Sequence, residues 1–506
     1  MSLEFQHVAI IGAGAMGRGI AQIAAQAGSQ VWLLDTQAGA AQQAREALGV
    51  QWDKLQAKGK CSPEQVQQWR AALHVAGSVS DLATAELIVE AVVERLDVKQ
   101  ALFAQLEEVA SPQAVLVSNT SSLSIAAIAA NLRQPGRVAG YHFFNPVPLM
   151  RVVEVVASVR TDAEVVERLV RYAQAMGHQA VVAQDTPGFI VNHAGRGYGT
   201  EALRLLGEGV CDVATADRIL RDQAGFRLGP FELFDLTGLD VSHPVMESIY
   251  QQYYAEPRYR PSVITAQRLA AGLVGRKKGQ GFYRYVDNQP QPVAEAAAPS
   301  VPDLPPVWVS PKAARRAELL QWLKDQQLAI ETGAVASSKA LIVVAPLGFD
   351  VTTLAAVEGL DASRTVGIDL LLPDAATKRR VVATNPATRQ DMRQAAHALF
   401  ARDGKPVSMI RDSAGFVTQR VLAAVVNIAS DICQQDICSP ADLDLAVSLG
   451  LGYPSGPLAW GDALGPNNVL EILFNMQTVY GDPRYRPSPW LRRRAALGLS
   501  LLHTEA

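Results

Sequence analysis

Residues 8–35 read VAIIGAGAMGRGIAQIAAQAGSQVWLLD. An apolar β-branched run is followed by a glycine-rich turn, a helix-like segment and a second apolar run, an order that predicts strand, turn, helix and strand. Gly12, Gly14 and Gly17 have the GxGxxG spacing. In such a turn the first glycine permits a tight bend, the second leaves the backbone open to a ligand, and the third lets the helix lie close to the strand. The stretch therefore predicts the first unit of a parallel α/β sheet.

An acidic residue ends this stretch, because Asp35 lies 18 residues beyond Gly17. After a GxGxxG turn, the helix N-terminus favours a pyrophosphate, and an acid at the end of the second strand accepts hydrogen bonds from the ribose hydroxyls. A carboxylate repels a 2′-phosphate and no arginine directly follows Asp35, so the pattern favours NAD over NADP. The predicted contacts are Gly12, Gly14, Met16, Gly17 and Asp35. The alternative is a tight strand–helix turn that binds no cofactor.

The first 155 residues continue this alternation of short apolar runs and helix-like segments, which is typical of a parallel sheet with crossover helices. The predicted strands cover 8–11, 31–34, 87–89, 115–117 and 152–156. From about 187 to 285 the pattern becomes helical. We therefore expect the first half to be α/β and then all-α.

A proline-rich stretch divides the chain. Residues 288–306 contain six prolines with alanines between them and show no apolar periodicity. Such a composition favours extended backbone, so this stretch is predicted to be a linker.

The two sides of the linker are related, because sliding the sequence against itself by 227 positions superposes matching residues. The matching pairs are Asp185 with Asp412, Gly188 with Gly415, Phe189 with Phe416, Gly229-Pro230 with Gly456-Pro457, and Asp235 with Asp462. At an offset of 226, residues 257–262 and 483–488 share the sequence PRYRPS. The chain is therefore predicted to contain an internal duplication.

Length and composition narrow the class of protein. A chain of 506 residues holds about three domains. Its 46 basic and 49 acidic residues leave a net charge of −3 without blocks of like charge, so no general electrostatic binding of nucleic acid or membrane is expected. The cysteines and histidines lack CxxC, HxxxH and HExxH spacings, and we expect no metal site or disulfide framework. Without a signal-like start, the chain is expected to be soluble and cytoplasmic.

Polar residues follow two neighbouring predicted strands, in the stretches 118–122 (SNTSS) and 142–146 (HFFNP). Open α/β sheets bind ligands at such strand ends. Glu154 interrupts an apolar strand twelve residues after His142, and a lone carboxylate is costly to bury without a partner. A carboxylate beside an imidazole orients the ring and stabilises its charged form, so His142 and Glu154 form a candidate acid–base dyad. The alternative is a surface histidine and an edge-strand glutamate.

Taken together, these motifs resemble the short-chain L-3-hydroxyacyl-CoA dehydrogenase family. The resemblance covers about 1–285 as an intact copy and is carried by residues 12–17, 94–99, 118–122, 142–148, 185–192, 229–235 and 275–283. It implies NAD-dependent oxidation of an L-3-hydroxyacyl-CoA to the 3-oxoacyl-CoA. A role in fatty-acid or aromatic-acid breakdown, such as that of phenylacetate, is an expectation from the family alone.

The same resemblance implies roles for single residues. His142 would be the base, Glu154 its partner, and Ser121 and Asn192 the ligands of the substrate oxygens. Cofactor contacts would fall on Asp35, Glu94, Lys99, Asn119 and Asn145, and an acyl-CoA contact on Lys58. From its position alone, Asn192 would be an ordinary residue at the start of the helical part.

The stretch after Asn192 departs from the family pattern, because glycines occupy positions 195, 197 and 199. Each glycine costs a helix about 1 kcal/mol relative to alanine. We expect the missing side chains to leave space for a bulky or distally polar acyl chain, with Arg196 available to a terminal carboxylate. The alternative is a locally loosened helix with Arg196 in solvent.

The second copy lacks the chemical residues of the first. At an offset of 227, Ser121 becomes Gly348, His142 becomes Asp369, Glu154 becomes Val381, and Asn192 becomes Gln419. No GxGxxG turn occurs in 307–340, and no acid after a second strand is recognisable there. We expect a reduced α/β domain that binds no NAD, and a second helical segment that pairs with the first within the chain or across a homodimer.

The complete prediction is an α/β Rossmann-type dinucleotide-binding domain, an all-α domain, a degenerate α/β segment and a second all-α domain. The boundaries are 1–186, a helical substrate and dimerisation domain over 187–287, a linker over 288–306, a degenerate domain over 307–411, and a second helical domain over 412–506. Two other functions are weighed against the dehydrogenase. A β-hydroxyacid dehydrogenase would need a lysine base that is missing between Gly188 and Leu203, and a non-catalytic NAD or acyl-CoA sensor would be expected to lack His142 or Glu154.

Overall fold

The computed structural model describes residues 3–505 and divides them into two compact units. The first unit contains the described residues up to His193 together with Gln435–Leu451. The second contains Ala194–Gln434 and the described residues from Gly452 onward. A segment of the second sequence repeat therefore belongs to the unit built by the first.

An eight-stranded sheet forms the centre of the first unit, in the order β3-β2-β1-β4-β5-β6-β7-β8. The strands are β1 (His7–Ile11), β2 (Gln30–Leu34), β3 (Leu73–Val75), β4 (Leu87–Glu90), β5 (Val115–Ser118), β6 (Val138–Phe143), β7 (Val152–Ala157) and β8 (Gln179–Gln184). All five predicted strands are confirmed. The predicted parallel sheet has one exception, because β6 and β7 pair antiparallel. The short connection between these strands suits a hairpin, whereas a parallel pair would need a longer crossover.

Seven helices accompany this sheet. They are α1 (Ala15–Ala27), α2 (Ala40–Ala57), α3 (Pro63–Ala71), α4 (Leu96–Val109), α5 (Ile125–Ile128), α6 (Ala163–Ala175) and α7 (Val191–Ala194). Apolar side chains of α1 and α6, such as Ile20 and Leu169, are buried against β-branched residues of the sheet such as Val8 and Val155. This burial holds the carboxyl ends of the strands in fixed positions.

Five helices begin the second unit: α8 (Arg196–Gly207), α9 (Val213–Ala224), α10 (Pro230–Thr237), α11 (Leu239–Gln252) and α12 (Val263–Ala270). The expected all-α character is only partly right. After α12 the chain forms an antiparallel hairpin of β9 (Tyr285–Val286) and β10 (Gln289–Pro290). Its turn residues Asp287 and Asn288 have φ values of 50° and 61°, and positive φ at both positions is what a two-residue type I′ hairpin requires.

The stretch predicted to be a linker is held to the second unit. Arg379 binds both carboxylate oxygens of Glu295, and Arg218 donates a hydrogen bond to the carbonyl oxygen of Val293. The hairpin and these contacts show that residues 288–306 are not a simple tether.

The second α/β region contains a six-stranded sheet in the order β12-β11-β13-β14-β15-β16. Its elements are β11 (Val307–Val309), α13 (Arg316–Asp325), β12 (Ile330–Glu331), β13 (Leu341–Val344), α14 (Val351–Val357), β14 (Thr365–Ile368), β15 (Arg380–Thr384), α15 (Gln390–Phe400) and β16 (Val407–Arg411). The expectation that no acid follows a second strand is wrong, because β12 ends in Glu331. The strand is only two residues long and has no apolar run that sequence patterns could detect. The turn between β11 and α13 contains no glycine.

Five helices end the chain: α16 (Thr418–Gln434), α17 (Pro440–Gly450), α18 (Pro457–Leu464), α19 (Pro466–Tyr480) and α20 (Pro489–Leu497). Helix α16 packs along α8, so the second helical segment pairs with the first within the chain. The two PRYRPS stretches meet at this pairing, since Arg258 donates to the carbonyl oxygen of Arg486 and Arg484 donates to that of Arg258. Of the two pairings that the sequence left open, the structure contains the one within the chain.

The duplication also appears in the backbone. Phe189 and Phe416, 227 residues apart, both follow a glycine and have φ values of 48° and 50°. Asp185 accepts hydrogen bonds from the backbone of Ile125, as Asp412 does from Thr352 at the corresponding position. Among residues 3–505, no helix has both the length and the apolar character needed to cross a membrane.

Candidate active site

The predicted dyad lies on the antiparallel pair β6 and β7. His142 and Glu154 are directly opposite each other in the register of these strands, so their side chains project from the same face. The Nδ1 atom of His142 lies 2.5 Å from Oε2 of Glu154. Glu154 is fully buried and His142 is 6% exposed. The alternative of a surface histidine and an edge-strand glutamate does not describe this geometry.

The second oxygen of Glu154 is bound by the turn that precedes α7. Its Oε1 accepts hydrogen bonds from the backbone N–H groups of Ile190 and Val191, at 2.9 and 2.8 Å. Phe189, whose ring centroid lies 5.8 Å from that of His142, begins this turn in a left-handed conformation. A buried carboxylate is stable only when its oxygens are satisfied, and this turn supplies the remaining donors. The fold thereby fixes Glu154 against the imidazole.

The polar loop after β5 is organised by Glu94. Its Oε1 accepts hydrogen bonds from the Thr120 hydroxyl at 2.7 Å and from the backbone N–H groups of Ser121 and Ser122 at 2.9 and 3.1 Å. Burial alone would raise the pKa of Glu94, but the Lys99 ammonium and these hydrogen bonds hold it below its usual value. Glu94 therefore acts on the Ser121 loop as an anion.

A residue that the sequence analysis missed lies behind this loop. Glu90, the last residue of β4, is fully buried and accepts hydrogen bonds from the Lys99 ammonium and the Ser118 hydroxyl, both at 2.6 Å. Lys99 is only 1% exposed, and its Nζ atom also lies 3.4 Å from Glu94. The structure thus places Lys99 inside the protein, and it supports Glu94 from behind. An acid ending the apolar strand LIVE is the same signal that drew attention to Glu154.

The three predicted asparagines occupy different settings. Asn119 Oδ1 accepts a hydrogen bond of 2.8 Å from the backbone of Phe143 and thereby links the ends of β5 and β6. Asn192 follows the N–H groups that bind Glu154, and its amide nitrogen lies 3.5 Å from the Ser121 carbonyl oxygen. Asn145 is exposed and precedes a cis proline bond. Asn192, Ser121 and the dyad are therefore brought to one end of the sheet.

The glycine-rich turn has the shape that a pyrophosphate needs. A Cβ atom at Gly12, whose φ is 103°, would lie 2.4 Å from the carbonyl oxygen of Ala91, and one at Gly17 would lie 1.8 Å from that of Gly12. Gly14 has no neighbouring atom within 4 Å of such a position. Met16 lies in the first turn of α1 and is partly buried against the core. The turn is therefore closed on its inner side and open at Gly14, which fits the predicted dinucleotide.

Asp35 closes the same turn from the end of β2. Its carboxylate accepts hydrogen bonds from the backbone N–H groups of Ala13 and Gln37, at 2.7 and 2.8 Å. A carboxylate has about four acceptor positions, so these two bonds leave capacity for ribose hydroxyls. Lys58, the predicted acyl-CoA contact, is exposed and caps the C-terminus of α2.

Two of the glycines after Asn192, Gly197 and Gly199, do not leave space for an acyl chain. A Cβ atom at Gly197 would lie 2.9 Å from Cα of Val425 in α16, and one at Gly199 would lie 2.8 Å from the ring of Phe234. These glycines instead permit close packing of helices, and α8 is intact over Arg196–Gly207. Arg196 is partly buried, which does not fit the alternative that it lies in solvent. Burial lowers its pKa to about 10, against an opposing effect of Tyr453.

At the corresponding place in the second copy, Gln419 fills the position of the site. Its amide nitrogen donates to Asp369 and to the carbonyl oxygen of Pro346, while its oxygen accepts from the backbone of Gly348. These bonds tie together the positions that correspond to Asn192, His142 and Ser121. Val381, in the place of Glu154, carries no charge. The second copy is thus rebuilt as a packed structural element.

Comparison with known families matches both halves. A model of the NAD-binding domain of 3-hydroxyacyl-CoA dehydrogenase matches residues 7–186. A model of the C-terminal domain of the same enzymes matches residues 188–285 and again 415–501. The double match of the C-terminal domain agrees with the internal duplication.

Individual relatives cover either the whole chain or its first half. The chain is 38% identical over 505 residues to the 3-hydroxyadipyl-CoA dehydrogenase of Escherichia coli K12. This alignment covers 98% of this chain and 99% of that protein. It is 36% identical over 286 residues to the mitochondrial hydroxyacyl-coenzyme A dehydrogenase of Homo sapiens, across 55% of this chain and 91% of the relative. The crystal structure of 3-hydroxybutyryl-CoA dehydrogenase from E. coli K12 superposes with a TM-score of 0.85 and 37% identity, over 97% of this chain and 98% of that one.

Proposed function

Because the chain belongs to the 3-hydroxyacyl-CoA dehydrogenase family and is an NAD-dependent enzyme of that class, we propose that His142 and Glu154 are the acid–base pair for oxidation of an L-3-hydroxyacyl-CoA. The observation that carries this proposal is the 2.5 Å contact between His142 Nδ1 and Glu154 Oε2 in a buried setting. The reaction removes a proton from the 3-hydroxyl group and a hydride from the same carbon, and leaves a 3-oxo group.

His142 provides the base. With Nδ1 bound to Glu154, Nε2 is the ring nitrogen that remains to accept the hydroxyl proton. The imidazole becomes positively charged as the proton arrives, and the buried Glu154 carboxylate stabilises that charge. The two backbone donors on Oε1 keep the carboxylate from turning away from the ring. Proton transfer therefore needs no rearrangement of the dyad.

NAD, when bound, supplies the acceptor for the hydride from the substrate carbon. The turn at Gly12–Gly17 and the carboxylate of Asp35 would hold its pyrophosphate and ribose. Ser121 and Asn192 would bind the hydroxyl and thioester oxygens and so orient the reacting carbon. Glu94 supports this role for Ser121 because it holds the loop by several hydrogen bonds.

The acyl group is proposed to carry a distal carboxylate. The full-length relative in E. coli is named for 3-hydroxyadipyl-CoA, a substrate whose acyl chain ends in a carboxylate. Arg196 lies four residues beyond Asn192 and is partly buried beside Tyr453, a residue of the second half. A guanidinium withdrawn from water binds a carboxylate more strongly than an exposed one. The relative's name and this setting both favour a dicarboxylic substrate.

The dyad is tested by replacing His142 with glutamine. Turnover should fall by roughly 10²–10⁴, the usual contribution of general acid–base catalysis, while the Kd for NADH stays within two-fold of wild type. His74→Gln is the matched control, since His74 lies on the same sheet, outside the site, and its Nε2 atom lies 2.8 Å from the side-chain oxygen of Gln30. A His142→Gln enzyme with turnover within a few-fold of wild type would exclude His142 as the base. Absence of turnover in the wild-type protein with every 3-hydroxyacyl-CoA would favour the sensor alternative.

A further inference from the structure

A helix from the second sequence repeat completes the sheet that carries the dyad. Helix α17 belongs to the first compact unit and packs against β7 and β8. Leu443, Ala446 and Val447 are the apolar residues that it buries. Strand β8 is the last strand of the sheet, and its outer N–H groups need partners. The backbone N–H of Gln184 donates to the carbonyl oxygen of Ile437 at 2.8 Å, directly before α17.

The end of α17 touches the turn that holds Glu154. A Cβ atom at Gly450 would lie 3.0 and 3.1 Å from the two γ-methyl groups of Val191, closer than ordinary van der Waals contact. The backbone N–H of the same Val191 donates to Oε1 of Glu154 at 2.8 Å. Oε2 of that carboxylate contacts His142 at 2.5 Å. A continuous series of contacts therefore leads from Gly450 to the imidazole.

The corresponding contact in the second copy has a different chemistry. Val191 corresponds to Thr418, and Gly450 corresponds to Gln223, at the same offset of 227. There the Thr418 hydroxyl donates to the side-chain oxygen of Gln223 at 2.5 Å. That copy has Val381 in the place of Glu154 and so has no carboxylate at this position. Close apolar contact through a glycine is thus found on the side of the molecule that retains the dyad.

We propose that the degenerate half contributes to catalysis by positioning Glu154: α17, through Gly450, presses on Val191 and fixes the N–H group that holds the carboxylate against His142. Gly450 and Val191 are positioning residues, since both act through the Val191 backbone N–H that binds Glu154. The second half is retained, in this account, because the first half cannot hold its dyad in place without α17. The inference depends on the proposed role of the dyad.

The test uses the full-length protein with Gly450→Ala, Val191→Ala and the double variant. Gly450→Ala adds a methyl group against Val191, and displacement of a catalytic group by a fraction of an ångström should lower kcat roughly ten-fold. Alanine is favoured over glycine in a helix by up to about 1 kcal/mol, which offsets part of the cost of the close contact, so the melting temperature should change little. The Kd for NADH should stay within two-fold, because the glycine-rich turn is not involved.

The double variant separates positioning from general damage. Val191→Ala removes the two methyl groups that the new side chain would meet, so Gly450→Ala combined with Val191→Ala should recover kcat to within about three-fold of Val191→Ala alone. Gly207→Ala is the matched control, because its Cβ would lie at an ordinary 3.6 Å from Ile264. It should leave kcat unchanged.

Each outcome decides the proposal. A folded Gly450→Ala enzyme with unchanged kcat overturns it, and so does a loss of kcat that the double variant does not recover. If Gly450→Ala alone does not fold, the double variant decides. A folded double variant whose kcat is near that of Val191→Ala supports the contact. A folded double variant whose kcat is well below that of Val191→Ala overturns it. Glu154→Gln distinguishes the two proposals. If Glu154→Gln stays active the dyad itself fails, whereas loss of activity in Glu154→Gln with a fully active Gly450→Ala removes only the role of α17.

Discussion

At the scale of residues, two buried carboxylates at strand positions connect the parts of the site. Glu154 joins His142 to the turn before α7, and Glu90 joins Lys99 to Ser118. Burying a carboxylate is unfavourable unless its oxygens are bound, and both residues use both oxygens. Each of them therefore acts as a cross-link between neighbouring strand ends.

We expect Asp35 to determine the choice between NAD and NADP. Asp35→Ala removes the carboxylate that would accept hydrogen bonds from the ribose and repel a 2′-phosphate. A hydrogen bond to a charged group contributes about 1.5–3 kcal/mol, so kcat/KM for NAD should fall about 10- to 100-fold. The preference for NAD over NADP should narrow accordingly. Steady-state kinetics with both cofactors measures this, with Asp53→Ala as a control that removes a partly exposed carboxylate elsewhere. Equal use of both cofactors by the wild type would contradict the role of Asp35.

The proposed role of Arg196 in acyl selection can be tested at this single residue. If Arg196 binds the acyl chain as proposed, Arg196→Ala should lower kcat/KM for 3-hydroxyadipyl-CoA more than for 3-hydroxybutyryl-CoA, because only the former has a distal carboxylate to pair with the guanidinium. A lost charge-assisted hydrogen bond corresponds to roughly a ten- to hundred-fold change in the ratio of the two values. The control is Arg227→Ala, which removes an exposed arginine of the same helical region. An unchanged ratio in Arg196→Ala would remove Arg196 from substrate selection.

At the scale of elements, the same strand ends serve opposite purposes in the two copies. In the first, β6 and β7 present a histidine and a glutamate side by side. In the second, β14 and β15 pair in the same antiparallel manner, but Gln419 of α16, at the position that corresponds to Asn192, donates a hydrogen bond to Asp369. The arrangement of elements was kept while the chemistry was replaced by packing.

In the second copy, Asp369 is a buried carboxyl group whose ionised form is disfavoured. Burial raises the pKa of Asp369 from 3.8 to about 6, against hydrogen bonds from Gln419 and Leu371 that lower it. Because the folded-state value is the higher one, the contribution of Asp369 to stability is most favourable below about pH 4 and is lost as the pH rises through about 6. A difference of about two pKa units corresponds to about 3 kcal/mol at most.

Asp369→Asn removes this ionisation. Its gain in melting temperature over wild type should grow between pH 5 and pH 8, as measured by calorimetry. Asp361→Asn is a control of opposite sign, because hydrogen bonds from Arg364 and Ser363 lower the pKa of Asp361 to about 2. Its effect should stay constant over the same range, since Asp361 is ionised throughout. A gain for Asp369→Asn that does not depend on pH would contradict the account.

At the scale of the whole molecule, buried charged residues of one duplicated half bind residues of the other. Arg420 of the second half is fully buried and lies 2.7 Å from Glu201 of the first. Its Nη1 also lies 2.7 Å from Glu208. Removing one partner from a buried ion pair is costly, so the helical segments depend on each other.

The number of cofactor sites can be measured on the whole chain. Calorimetric titration should saturate at one NAD for each chain, because the second α/β region has no glycine in the turn after β11.

The dependence between the halves predicts the behaviour of the first half alone. A fragment ending at Tyr285 should aggregate or self-associate, since it exposes the face of α8 that contacts α16 and the edge of β8 that Ile437 covers. Two NAD equivalents per chain, or a monomeric fragment with normal activity, would contradict these predictions.

The features that could be predicted from the sequence are those that depend on residues close together along the chain. The glycine spacing and Asp35 predicted the dinucleotide turn, and the apolar runs predicted five strands of the first sheet, because turn conformation and side-chain alternation are local properties. The acid within a valine strand drew attention to Glu154 for the same reason. The repeat at an offset of 227 positions could be detected because it depends only on the order of residues in the chain.

Contacts between residues far apart in the sequence are fixed by the folded chain. The antiparallel register of β6 and β7 places His142 opposite Glu154, whereas the sequence predicted a parallel sheet. The sequence predicts open space at Gly197. In the structure, the backbone of α16, more than two hundred residues away in sequence, occupies that space. Lys99 was expected at the cofactor and lies buried between two glutamates. Helix α17, from the second repeat, lies on the sheet of the first. None of these pairings leaves a local periodicity, because each is fixed by the burial of apolar surface and the satisfaction of polar groups across the folded chain.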